Sequence, residues 1–165
     1  MTKAADIVGL YFDPPDNAIA ISVDEKIVRP LRSTYKRNGA LNLFAALETD
    51  SGSISANTTG RKTRGDFLAF MDDEIHAILD NYCTHKRCDD WLRKHPGGVH
   101  SHYMSTSASW MNQVEIWFSI LSGATLKGAS FERADAPAFT VRSYVEKYNK
   151  HPKPFKWRKG EVRGS

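Results

Sequence analysis

Three carboxylates stand where a metal-dependent reaction could be built: Asp24 after the apolar run AIAISV, Asp80 after HAIL, and Glu115 inside SASWMNQVEIWFSIL. Between the second and third lie 34 residues. Two acids at strand tips and one on a helix can converge on a pair of hard divalent cations, which prefer oxygen ligands. The chemistry such a cluster serves is phosphodiester cleavage and transfer. Each acid also has a plainer role open to it. Asp24 can be a strand-end turn residue, with Glu25 sharing its work; Asp80-Asn81 can start a loop or cap a helix; Glu115 can be a surface acid.

The elements that must carry these residues are legible from periodicity and punctuation. Pro14-Pro15-Asp16-Asn17 ends an N-terminal lead and launches a strand over residues 18–24, rich in β-branched side chains. Leu41 to Glu48 is a second strand; Asp50-Ser51-Gly52 is a turn, and Ser53 to Thr58 closes a hairpin. Arg64 to Glu74 has Phe67, Leu68, Phe70 and Met71 at helical spacing. A short strand from Ile75 to Leu79 would deliver Asp80, a helix would run from His85 to His95, and a last strand from Val99 to Tyr103. On the helix that follows, at about 100° per residue, Trp110, Met111, Val114, Trp117, Phe118 and Leu121 share one arc. Glu115 falls at the edge of that buried stripe, whereas a purely solvent-facing acid would sit opposite it. Asn112, one turn earlier, is either a capping or surface amide or a residue that positions Glu115 or a phosphate. Ala136 to Asn149 forms the final helix.

The strings VDEK, YKRNGALNLFAAL, LDNYCTHK, STSASWMNQVEIWF and YNKHPKPFKW occur in this order between residues 8 and 158. Together they resemble the catalytic domain of a mariner-superfamily transposase of the bacterial insertion-sequence type. That resemblance implies an α/β, ribonuclease H-like fold: a mixed five-stranded sheet flanked by helices, with shortened elements. It implies a DDE triad in which Asp24 bridges two Mg2+ or Mn2+ ions, Asp80 binds one and Glu115 the other, with Asn81 and Asn112 in support. The substrate implied is double-stranded DNA, cut and rejoined by a homodimer or a full-length transposase complex in the cytoplasm. Lys36, Arg37, His85, Lys86, Lys153, Lys156, Arg158 and Lys159 are the candidate DNA contacts, although Lys36-Arg37 can equally be a solvated strand lead and His85-Lys86 a helix start.

Two departures from that pattern bear on activity. Only IVRPLRST separates VDEK from YKRNGA, where the family has a longer segment. In GDFLAFMDDEIHAILD, helix and strand run together, although reversing direction between them usually takes about 2 to 6 residues. The expectation is a short strand and a displaced Asp80, and the alternative function is an internally deleted, catalytically inactive remnant that binds only DNA or a full-length transposase. The helix-turn-helix that the family carries ahead of its catalytic domain is expected to be missing, because MTKAADIVGLYFDPP alone precedes the first strand.

The chain of 165 residues suits one core. The expected division is a lead over 1–17, left from a linker, a catalytic domain over 18–150 and a basic tail over 151–165. Residues 127–165 hold ten Lys/Arg against four acids, more than the whole formal charge of +4. Basic residues interleaved with Phe155 and Trp157 suit a polyanion, or else a solvated terminal face. Two cysteines, Cys83 and Cys88, make neither a disulfide framework nor a zinc knuckle. No stretch approaches the ~20 apolar residues of a membrane span.

Overall fold

The computed structural model describes residues 9–12, 19–28, 41–74, 89–94, 112–126 and 135–156. Strands β1 (Ile21–Val28), β2 (Leu41–Glu48) and β3 (Ile54–Thr59) form an antiparallel sheet in the order β1-β2-β3. The helices are α1 (Arg64–Glu74), α2 (Asp89–Lys94), α3 (Gln113–Leu121), extended by a π-helical turn over Ser122–Leu126, and α4 (Ala136–Tyr148). The described architecture is therefore mixed α/β, with three strands. The expected strands at 75–79 and 99–103 lie outside the described residues.

Strand β2 is buried on both faces, which is why its sequence reads as the unbroken apolar run LFAAL. Leu43, Ala45 and Leu47, with Val28 and Ile54, face Val114, Trp117, Phe118 and Leu121 of α3 and Val141 of α4. Phe44 and Ala46, with Val23, face Phe67, Phe70 and Met71 of α1 and Trp91 of α2. Phe44 lies 5.9 Å from the Phe67 ring and 6.0 Å from that of Phe70. Helix α1 begins in a reciprocal cap: Asp66 N–H donates to Thr63 Oγ1 at 3.1 Å, and Thr63 N–H donates to Asp66 Oδ2 at 3.2 Å. Its bounds are those expected from periodicity.

Strand β1 corrects the sequence reading. It begins three residues later than expected and runs four residues past Asp24, pairing along its whole length with β2. Asp24 is therefore a mid-strand residue opposite Ala45, not a strand tip. The pairing partner imposes this: eight residues of β2 offer a full ladder, and backbone hydrogen bonding outweighs the weak strand propensity of Asp-Glu-Lys.

The hairpin turn joins the C-terminal part of the chain to the sheet. Gly52 has φ +76°, and a Cβ there would collide with the backbone of Lys153 and Pro154. Only glycine meets both demands. Asn149, just after α4, accepts from Ile54 N–H through Oδ1 at 3.0 Å and donates through Nδ2 to Ile54 O at 2.7 Å. Phe155 packs against the α3 side of the core. Residues 153–155 thus lie against the hairpin turn and the core.

Candidate active site

Alternation along β1 puts Ser22, Asp24, Lys26 and Val28 on the face covered by α3, as their β2 partners Leu47, Ala45, Leu43 and Leu41 show. Glu25 points to the other face, where its carboxylate pairs with Lys62. The two neighbouring acids are separated by the sheet, so Glu25 cannot share the work of Asp24. Lys26 does share the Asp24 face, with its Nζ 5.7 Å from the centroid of the Phe118 ring.

Helix α3 starts against this face. Asn112 is its N-cap, in extended conformation, and its Oδ1 accepts from Val114 N–H at 3.3 Å. The same side chain reaches β1: Ser22 Oγ–H donates to Asn112 Oδ1, and Asn112 Nδ2 donates to Asp24 Oδ2 at 3.1 Å. Ser22 Oγ in turn accepts from Val114 N–H at 3.1 Å. Asp24 Oδ1 accepts from the Glu25 N–H at 2.8 Å. A half-buried carboxylate is therefore tied by one oxygen to its own strand and by the other to the start of α3.

Glu115 lies in the first turn of α3, its N–H donating to Asn112 O at 3.1 Å. Gln113, Val114, Trp117, Phe118 and Leu121 are buried while Ile116, Ser119 and Ile120 are exposed, and Glu115 is half-buried between the two sets. The expected place at the edge of the stripe is the observed one. An acid in the first turn is favoured by the partial positive charge of the helix N-terminus. Trp117, expected in the core, is fully buried there.

The structure thus brings Asp24, Asn112 and the first turn of α3 together on one sheet face. Asp80, Asn81, Lys36, Arg37, His85, Lys86, Arg158 and Lys159 lie outside the described residues. Lys153 and Lys156 are exposed on the docked segment beside the hairpin turn. Sequence reasoning missed Ser22, whose only signal was its place two residues before Asp24 on the same strand face. It also left the partner of Asn112 open: the amide caps α3 and holds Asp24, 88 residues away.

Asp24 and Glu115 carry carboxylate oxygens, the ligand type that hard divalent cations prefer. Among the described residues, no group of three or more His, Cys, Asp and Glu side chains could hold a metal ion.

Comparison with known proteins bears on the family and the fold of the chain. The sequence model of the family described as DDE superfamily endonuclease matches residues 22–136, a span that starts at Ser22 and includes Asp24, Asn112 and Glu115. Among solved structures, the chain is similar to one in the simian T-cell lymphotropic virus intasome in complex with PP2A regulatory subunit B56 gamma. The TM-score is 0.56 at 12% identity, over 88% of this chain and 59% of that one. A second is the large terminase nuclease from thermophilic phage G20c with bound zinc, at a TM-score of 0.36 and 14% identity, over 83% of each chain. No curated protein matches. The chain spans 59% of the length of the intasome chain, and that likeness is one of fold.

Proposed function

The chain belongs to the DDE superfamily endonucleases, and from that premise we propose that it is the catalytic domain of a mariner-type transposase of a bacterial insertion sequence. The observation that carries this is Asp24 fastened to the helix that bears Glu115, by way of Asn112. The full fold is ribonuclease H-like. Asp24, Asp80 and Glu115 would hold two Mg2+ or Mn2+ ions, which when bound would supply polarisation of a phosphoryl oxygen and charge stabilisation for an in-line displacement. The chain's own part is to hold the carboxylates rigid: Asp24 by the Glu25 N–H and the Asn112 amide, Glu115 by the capped first turn.

The reaction is hydrolysis of a phosphodiester at the element's end, releasing a 3′-hydroxyl. That hydroxyl then attacks a target phosphodiester, one P–O bond forming as another breaks. No covalent enzyme intermediate is needed. The working unit is a homodimer or a larger transposase complex on DNA in the cytoplasm. A chain whose Asp80 carboxylate is displaced would bind DNA without cutting it. Labelled, pre-nicked element ends separate the two: strand transfer that requires Mn2+ and stops in EDTA supports the enzyme, and binding without transfer supports the inactive remnant.

The basic C-terminal segment is proposed to grip the phosphate backbone. Removing residues 150–165 would also pull Phe155 out of the core, so charge must be removed without the segment. Lys153→Ala and Lys156→Ala together should lower the slope of log affinity against log salt by about 1.8, at about 0.9 per lost phosphate contact. An unchanged slope in a duplex-binding titration would make these lysines part of a solvated face.

A further inference from the structure

We infer that Asn112 is a positioning residue for Asp24, with its amide orientation set by Ser22, so that the start of α3 and the aim of the carboxylate are fixed by one side chain. The inference rests on the metal-dependent reading above for its purpose, but not for its geometry.

An asparagine amide has one accepting end and one donating end, and the two are nearly indistinguishable by shape. Here the chemistry of the neighbours decides between them. Two donors, Ser22 Oγ–H and Val114 N–H, converge on Oδ1, so Nδ2 must face Asp24 Oδ2. The flipped amide would set its NH2 against both donors and its carbonyl against a carboxylate. Ser22 and Asn112 are 1% and 4% exposed, so water offers little substitute for either partner. Ser22 is itself fixed, because its oxygen also accepts from Val114 N–H. The arrangement has the logic of groups that hydrogen-bond metal ligands, which orient the ligand and typically change metal affinity or activity 10- to 100-fold.

A capping role alone and a positioning role are separable because serine caps a helix about as well as asparagine but has no amide to reach Asp24. Asn112→Ser keeps the cap but leaves Ser22 without its buried acceptor, so some melting temperature should be lost, and Mn2+ affinity, measured by calorimetry well below that temperature, should fall about 10- to 100-fold. Unchanged affinity in the folded variant would reduce Asn112 to a cap and overturn the inference. A second measurement needs no metal. In the parent chain the side-chain amide protons of Asn112 should be protected from solvent exchange; protection should be lost in Asp24→Ala and weakened in Ser22→Ala. Protection unchanged in Asp24→Ala would likewise overturn it. Mn2+ binding that the parent shows and Asp24→Asn lacks checks the metal reading separately, and the amide signal decides the positioning whether or not metal binds.

Discussion

Asp24→Asn is expected to abolish metal-dependent strand cleavage while leaving the fold intact. Asparagine has the shape of aspartate, its oxygen can still accept from the Glu25 N–H, and the backbone of residue 24 stays paired with Ala45. The NH2 of the new amide then faces Asn112 Nδ2, donor against donor, so some stability should be lost without unfolding the chain. What disappears is the negative charge that makes a carboxylate a ligand for a hard cation; a neutral amide oxygen is a much poorer one. Groups that only orient a ligand are worth about 10- to 100-fold, so loss of the ligand's charge should exceed that range. The measurement is cleavage of a labelled element end in Mn2+, with thermal unfolding of both chains as the control. Comparable rates for parent and variant would remove Asp24 from the site.

The largest effect on stability is expected from Trp117→Ala. Trp117 is fully buried, with ring centroids of Phe118, Tyr144 and Tyr148 at 5.7, 6.4 and 6.2 Å. It ties α3 to α4. Truncating a buried tryptophan typically costs about 3–5 kcal/mol, a large share of the ~5–15 kcal/mol that holds a domain together. Urea unfolding should show the midpoint falling accordingly, and with α3 loosened, Glu115 and Asn112 lose their common frame. Trp117→Phe should cost much less. Among the described residues the buried indole Nε1 has no hydrogen-bond partner, so phenylalanine gives up volume but also removes a donor left unsatisfied there. A cost below about 1 kcal/mol for Trp117→Ala would show that the aromatic cluster is not the keystone of this face.

The same packing explains what could be read in advance. Helix α1 was legible because its apolar spacing is local, and β2 because a strand buried on both faces leaves an unbroken apolar run. Glu115 was legible by angle alone, since a helix fixes the direction of each side chain relative to its stripe. The continuation of β1 beyond Asp24 was not, because Asp-Glu-Lys has little intrinsic tendency to extend and the ladder to β2 supplies the reason. Nor was the Ser22–Asn112–Asp24 link, whose partners lie about ninety residues apart in sequence and meet only in the folded sheet. Charge in the C-terminal segment was countable; its docking against Gly52 depended on a close backbone approach that no composition reveals.

The bond between Asn149 and Ile54 also bears on how the protein keeps to itself. Among the described residues β3 is an edge strand, and an edge with unpaired backbone groups is a template on which another chain can add a strand and begin to aggregate. At Ile54 that template is closed. The carboxamide of Asn149 answers both the N–H and the C=O of the residue, at 3.0 and 2.7 Å, as a neighbouring strand would. A strand arriving at this edge must first displace two formed hydrogen bonds. A single side chain thus blunts the growth of the sheet where the edge begins.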